Sequence, residues 1–443
     1  MARFATNKYQ GGILTSTLAR FARPKGANLL DRTQPYFDWQ DKRRQTQLWP
    51  YSRSLDGCPE PITKIRNDSG QTAEGINFGS QDYLSLSSHL SIQQAAINAL
   101  YEFGPHSAGS PCLVGNTKLS LELETALAEM LHMDHVVLFP TGWASGFGAI
   151  VGLVRPYDHI VMDELAHACL QQGASAATSN IVRYNHLDLD AVKSHLKEIR
   201  SQDTENGILV ITEGLFSMDS DVPDIAKLQD ICHEYGATLF VDVAHDFGAL
   251  GPGGTGSLGI QEMLGKVDLV MGSFSKTFAS NGGFLATNSP AVKQFVKFYG
   301  GPHIFSNALS PIQAGIVLEA IRIVRSPEGD QLRGSLMNVV QTLRNELTNQ
   351  GLECKGTPSA IVPILLGSEP VARLTSEFIF KQRVFANLVE YPAVAVGAAR
   401  LRMQAMAAHQ PKHAIQAAEI IGEAHRAAKE MLGEATGHLL KVA

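Results

Sequence analysis

Val267-Asp268-Leu269-Val270-Met271-Gly272-Ser273-Phe274-Ser275-Lys276-Thr277-Phe278 joins an apolar, β-rich run to a lysine set among hydroxyl residues, and Asn281-Gly282-Gly283 follows. A lone lysine flanked by serines is usually solvated. This one leaves an apolar strand directly and precedes a glycine pair, so its expected place is the cleft at the strand's carboxyl end. A desolvated lysine there can lower its pKa and form a Schiff base. Similar apolar runs recur upstream at His135–Phe139, His159–Met162, Ile208–Thr212 and Thr238–Asp242. Helical patterns separate them at Lys118–Leu131, Leu189–Ile199 and Ile225–Glu234. This alternation predicts an α/β fold: a mainly parallel sheet with helices on both faces and ligands at the carboxyl ends of the strands. From about Pro311 the pattern changes to a helix at Ile312–Arg325, a strand near Ala360–Leu366 and a final helix over Lys412–Met431. That predicts three parts: residues 1–76, an N-terminal arm and small-domain segment; 77–310, the large domain; and 311–443, a smaller C-terminal α+β domain.

The residues leaving the other strands extend the reading. Pro140-Thr141-Gly142-Trp143 follows His135–Phe139 and opens a small-residue helix. Such a helix N-terminus can cradle a phosphate, or be an ordinary strand-to-helix turn. Asp242 ends an apolar strand, with Ala244-His245 just beyond. A buried acid must be paired. It is either a satisfied structural aspartate or a carboxylate that holds a proton on a heteroaromatic nitrogen. Ser273 and Ser275 can offer hydroxyls to a phosphate. A strand-end carboxylate some thirty residues before a strand-end lysine suits pyridoxal phosphate (PLP), with Asp242 keeping the pyridine nitrogen protonated and Lys276 holding the aldehyde as an imine.

Composition excludes several classes. At 443 residues the chain holds two to three domains of ~100–200 residues or one large domain with a companion. Hydrophobic content of 44% and charged content of 18% are globular values. A net charge of −6 gives no electrostatic reason to expect nucleic acid. The five cysteines (Cys58, Cys112, Cys169, Cys232, Cys354) never form CxxC, which argues against a disulfide scaffold or a zinc cluster and fits a reducing, cytoplasmic compartment. No apolar run approaches the ~18–20 residues that span a bilayer. Arg3, Lys8, Arg20, Arg23 and Lys25 precede the first acid, Asp31. This segment is read as an arm packing on a partner subunit, in preference to an organellar transit segment. Gly251-Pro252-Gly253-Gly254-Thr255-Gly256 matches GxGxxG but does not turn from a strand into a helix, and His409/His413 has Pro411 between its members. Neither is taken as a dinucleotide or metal site.

In combination the motifs resemble the α-oxoamine synthases, PLP enzymes of the aspartate-aminotransferase fold (fold type I), over about Asn77 to Ile420. Phe78-Gly79-Ser80-Gln81-Asp82-Tyr83-Leu84-Ser85-Leu86 is similar to that family's F-x-S-N-D-Y-L-G-L. Asp163-Glu164-Leu165-Ala166-His167-Ala168 resembles D-x-x-x-H-A-S, and Glu213-Gly214-Leu215-Phe216-Ser217-Met218-Asp219-Ser220-Asp221 resembles E-G-x-F-S-M-D-G-D. Val241-Asp242-Val243-Ala244-His245 is similar to V-D-E-A-H, and Gly272-Ser273-Phe274-Ser275-Lys276 to G-T-F-S-K. Ile304-Phe305-Ser306-Asn307-Ala308-Leu309-Ser310-Pro311 resembles I-F-T-T-S-L-P-P, and Arg400-Leu401-Arg402-Met403 resembles R-L-R-I.

The resemblance implies roles. Lys276 would carry the cofactor and move protons at the amino-acid α-carbon. Asp242 would pair with the ring nitrogen, His245 with the ring oxygen, and His167 would stack on the ring. Thr141, Gly142, Trp143, Ser273 and Ser275 would surround the phosphate, with Ser217 near the ring. Arg402 would hold the substrate carboxylate, and Gln81 stands where substrate is read. Ser306 and Asn307 would reach the phosphate of a neighbouring subunit, which implies a homodimer. The implied reaction is decarboxylative condensation of an amino acid with an acyl-CoA or acyl-carrier thioester. Within the family, a serine palmitoyltransferase-like activity is preferred because Gly301-Pro302-His303-Ile304-Phe305 resembles that branch's Arg-Pro-Tyr-Ile-Phe. Autoinducer-synthase-like, 8-amino-7-oxononanoate synthase-like and glycine C-acetyltransferase-like activities are the alternatives. A PLP aminotransferase or lyase and a non-catalytic subunit are the readings from other classes, and Lys276 argues against the last. The departures are Pro111-Cys112, where the family has an arginine, and Val243, Ala166 and Gln81.

Overall fold

The structure, a computed structural model, describes residues 12–439. Arg3 and Lys8 of the basic N-terminal segment lie outside them. The chain forms two compact units. Among the described residues, one holds those up to Ser80, Met218–Ser220 and those from Ser335 on; the other holds Gln81–Ser217 and Asp221–Gly334.

The strands are β1 (Ser54–Leu55), β2 (Ile62–Arg66), β3 (Thr72–Phe78), β4 (His135–Phe139), β5 (His159–Asp163), β6 (Ile181–Tyr184) and β7 (Ile208–Glu213). They continue with β8 (Thr238–Asp242), β9 (Leu269–Ser273), β10 (Gly283–Thr287), β11 (Ile361–Gly367), β12 (Val384–Val389) and β13 (Ala399–Gln404). The larger unit is built on a seven-stranded sheet in the order β4-β10-β9-β8-β7-β5-β6. From β9 to β6 neighbours are parallel, while β10 runs antiparallel to both β4 and β9. The apolar run that opens with Val267 becomes a strand only from Leu269, because Asp268 does another job. Its carboxylate accepts from the Leu239 N–H at 2.8 Å and from Gln229 Nε2 at 2.9 Å, closing the bottom of the sheet.

Helix Gly142–Leu153 is buried through Ala144, Gly146, Ala149 and Ile150. It closes a core with Phe139, Ile160, Met162, Ile211, Phe240, Met271 and Leu285. Helix Pro311–Val324 belongs to this larger unit, so the division falls after Gly334 rather than at Pro311. The reason is packing: this helix lies against helices Leu90–Phe103 and Lys118–Leu131. A Ser310/Gln313 capping box starts it.

The smaller unit has a six-stranded sheet in the order β1-β2-β3-β12-β13-β11. Only β3 and β12 pair in parallel; the other neighbours are antiparallel. Helices Glu369–Lys381 and Pro411–Leu439 pack against each other in this unit. No helix among the described residues is long and apolar enough to cross a membrane.

Candidate active site

Consecutive strands of the seven-stranded sheet deliver their carboxyl-end residues to one cavity of about 280 Å³. Thr141, Gly142 and Trp143 come from beyond β4, His167 and Cys169 from beyond β5, and Glu213 from the end of β7. Asp242 and His245 come from β8, Ser273, Ser275 and Lys276 from β9, and Asn281 and Gly282 precede β10. The volume is at the small end of ligand pockets, about 300–1,000 Å³.

The β4 corner gathers hydrogen-bond donors. Thr141 Oγ1 caps the helix by accepting from the Ala144 N–H at 3.0 Å. The first-turn N–H groups and the positive end of the helix dipole gather there. Ser273 and Ser275 hydroxyls share a 2.8 Å hydrogen bond beside it. Only glycine fits at position 142, where a Cβ would lie 2.3 Å from Ser273 Oγ.

The opposite wall is acidic and buried. Glu213 and Asp242 are register partners on β7 and β8. Asp242 accepts from the Ala244 N–H at 2.9 Å. Burial pushes its carboxyl up, while the charges of His167 and Lys276 pull it down. Burial pushes the Glu213 carboxyl well above the ordinary range, and the Asp242 charge adds to that. Glu213 Oε1 accepts from the His167 N–H at 2.6 Å. His167 Nδ1 caps its helix, accepting from the Cys169 N–H at 3.3 Å, with Cys169 Sγ 3.0 Å from the same nitrogen. The Trp143 and His167 rings meet edge-on at 6.1 Å. Tyr83, fully buried, bonds His245 Nδ1 through its hydroxyl at 2.8 Å.

Of the residues singled out from sequence, Thr141, Gly142, Trp143, His167, Asp242, His245, Ser273, Ser275 and Lys276 line this cavity. Ser217 is buried and Gln81 half-buried, and neither is among the lining residues. Ser306 and Asn307 are also outside it; Asn307 is exposed, its amide 3.1 Å from His106 Nε2. Arg402 lies on β13 of the smaller unit, opposite Pro363 and Asn387. Glu213, Cys169, Tyr83 and Asn281 were not assigned roles from sequence. The signal for Glu213 and Tyr83 was present, since both stand inside quoted motifs. Val243 is buried at 1% exposure and does not line the cavity; a Cβ on Gly272 would meet its Cγ2 at 3.4 Å.

This donor set fits PLP. The cavity joins an amine, a buried acid able to hold a cationic ring nitrogen, and a hydroxyl-rich helix N-terminus for a phosphate.

A family model for aminotransferase class I and II matches residues 73–421. The chain is 31% identical over 375 residues to 8-amino-7-oxononanoate synthase of Thermoanaerobacter pseudethanolicus, covering 83% of this chain and 94% of that one. It is 30% identical over 374 residues to serine palmitoyltransferase of Sphingobacterium spiritivorum, covering 84% and 91%. It is 31% identical over 373 residues to 4-hydroxy-2,2'-bipyrrole-5-methanol synthase PigH of a Serratia species, covering 84% of this chain but spanning only 56% of that protein. Among solved structures, serine palmitoyltransferase of Sphingomonas wittichii matches with a TM-score of 0.84 at 26% identity, over 91% of this chain and 99% of the other. The chain belongs to the aminotransferase class I and II fold family and, within it, to the α-oxoamine synthases, PLP-dependent acyltransferases that join an amino acid to an acyl thioester with loss of carbon dioxide.

Proposed function

We propose that this chain condenses serine or a similar small amino acid with a long-chain acyl thioester, as a homodimer, using Lys276, Asp242, His245 and His167 as its working side chains. The observation that carries the reading is the convergence of these four with the Ser273/Ser275 hydroxyls on one cavity. Bound there, PLP supplies an aldehyde that captures amines and a ring that stores the electron pair of a carbanion. The chain supplies the rest. Asp242, buried at the end of β8, holds a proton at the ring nitrogen. His245, steadied by Tyr83, donates to the ring oxygen, and His167 covers the ring face. Thr141, Gly142, Trp143, Ser273 and Ser275 hold the phosphate. Lys276 first retains the cofactor and then moves the proton at the substrate α-carbon, a role worth ~10²–10⁴ in rate. Arg402 takes the substrate carboxylate as a bidentate donor.

The likeness of residues 301–305 to the serine palmitoyltransferase branch and the structural match to such an enzyme support the serine reading. 8-Amino-7-oxononanoate synthesis is the second reading, favoured by similarity over 94% of one such enzyme. An amino-acid screen read by the cofactor's absorbance separates them: a response to serine supports the first, a response to alanine alone the second. Ser306 and Asn307 support the dimer. Their segment is tied down by Ser110 Oγ donating to the Ile304 carbonyl at 2.7 Å and by the Ala308 N–H donating to the Gly109 carbonyl at 2.9 Å. Around it Leu113, Val114 and Phe305 are more than 80% exposed, an apolar rim suited to a second copy. Diluting the holoenzyme to monomers should release the cofactor. Monomers with full occupancy would overturn the shared site.

The test of the site is borohydride treatment followed by proteolysis and mass spectrometry. A pyridoxyl group is expected on Lys276. Lys276→Ala should fold, bind the cofactor without covalent fixation, and lose at least the ~10²–10⁴ of a positioned acid–base. Label on another lysine, or on none, would sink the assignment.

A further inference from the structure

A second cavity of about 280 Å³ lies wholly within the smaller unit, and no step of the condensation uses it. Its lining includes five cations, Arg44, Arg53, Arg373, Lys381 and Arg383, against two acids, Asp68 and Glu377. Both acids are engaged. Asp68 holds Arg44 at 2.8 Å, and Glu377 holds Lys381 at 2.8 Å. Arg373 spends its charge on Glu390 at 2.7 Å. Among the described residues no carboxylate pairs with Arg53. Its guanidinium instead lies 4.4 Å from the centre of the Phe380 ring.

The hydrogen-bond inventory points the same way. Arg53 Nε, Trp49 Nε1, Arg373 Nη2 and Ser376 Oγ are buried and have no hydrogen-bond partner among the described residues. All four belong to side chains that line this cavity, and all four can donate. Buried donors of this kind are rare because each forfeits its solvation. Here they collect around an excess of positive charge. Burial pulls the Arg53 guanidinium down to about 10, the sign of a cation held out of water without a counter-charge.

We propose that this cavity binds a small phosphate-bearing ligand, whose oxygens accept from Arg53, Arg373, Ser376 and Trp49. A phosphate suits the set better than a carboxylate because it offers more acceptor oxygens and a second negative charge. Phe380 and Trp49 give the cavity apolar walls, so a ligand with a small body can fill it. The site is separate from the reading of the condensation given above.

The experiment uses the full-length holoenzyme, so that the cofactor's own phosphate site is filled. Inorganic phosphate and glycerol 3-phosphate are titrated in separate arms by calorimetry, at constant ionic strength, with acetate as the control. One saturable site per chain is expected. Arg53→Gln should weaken it about ten- to a hundredfold, the loss of a charge-assisted contact. Ser376→Ala, a smaller change, should weaken it about two- to tenfold. Both variants should keep the wild-type turnover measured without added phosphate, because neither residue lines the cofactor cavity. Saturation by inorganic phosphate as tight as by the ester identifies the free anion as ligand; tighter binding of the ester identifies a phosphomonoester. No saturation in either arm, equal binding of acetate, or binding unchanged in both variants overturns the proposal.

Discussion

The two cavities are similar in size and differ in the charged groups that line them. At the ends of β7 and β8, two buried carboxyls are register partners, and one lysine lines the same cavity. In the smaller unit, guanidinium groups outnumber the acids that face them. The first cavity is incomplete without a cation near Asp242 and an anion near Ser273; the second lacks only an anion. In both, burial is what makes the imbalance informative, since a solvated charge needs no partner and a desolvated one does.

The same substitution in the two regions should differ sharply in cost, and this is the largest stability effect expected. Glu390 is the carboxylate shared by Arg373, at 2.7 Å, and Arg43, at 3.6 Å, and all three are buried. Glu390→Gln leaves two buried guanidiniums facing a neutral amide. Removing one partner of a buried pair costs about 3–5 kcal/mol. Glu213→Gln should cost much less in the cofactor-free protein. Burial raises that carboxyl's pKa and so favours its neutral form, and Gln Oε1 can still accept from the His167 N–H. The sign follows from linkage. A carboxyl whose pKa is raised on folding penalises the fold as pH climbs from the ordinary carboxylate range through the raised value, and Gln removes that penalty. Urea unfolding of both variants across pH checks it. A Glu213→Gln as damaging as Glu390→Gln would erase the distinction.

Arg402 sharpens the comparison at the next scale. It shares a unit with Arg43 and Arg373 but is proposed to serve the substrate. Arg402→Ala should weaken amino-acid binding by roughly 1.5–3 kcal/mol, about ten- to a hundredfold, with cofactor occupancy intact. Titrating the cofactor's absorbance with amino acid measures this. A fall in unfolding free energy with an unchanged midpoint would place Arg402 with the structural arginines.

Much of the first region was legible in the sequence, because a doubly wound sheet gathers residues that follow consecutive strands. Strands β4 and β8 and the helices Lys118–Leu131 and Ile225–Glu234 match their predicted spans. Strand β10 was not anticipated. Asn281-Gly282-Gly283 reads as punctuation, yet Gly283 begins a strand inserted antiparallel between β4 and β9. In the smaller unit, individual elements were legible only at its C-terminal end, although residues 1–76 were expected to contribute a segment to it. Its sheet depends on the parallel pairing of β3 with β12, distant partners that no local period reveals. The second cavity was invisible for the same reason: Arg53 and Arg373 meet only in the folded chain, and an arginine count says nothing of which are paired.

The smallest predicted effect tests how far the first region's order reaches beyond its lining. Tyr83 is fully buried, with its hydroxyl 2.8 Å from His245 Nδ1. Tyr83 is thus a positioning residue, acting through the histidine. Tyr83→Phe keeps the ring and its packing and removes the hydroxyl. A neutral hydrogen bond contributes about 0.5–1.5 kcal/mol, so kcat/KM should fall roughly two- to tenfold. A merely structural tyrosine would show the same fall whatever stood at position 245. The check is a double-mutant cycle with His245→Ala, read in kcat/KM and in the pH profile of the cofactor's absorbance. In the His245→Ala background the tyrosine substitution should have little further effect, because the atom it steadies is gone. If the two losses simply add, the hydroxyl acts by another route, and the order of the acidic cavity ends at the residues that line it.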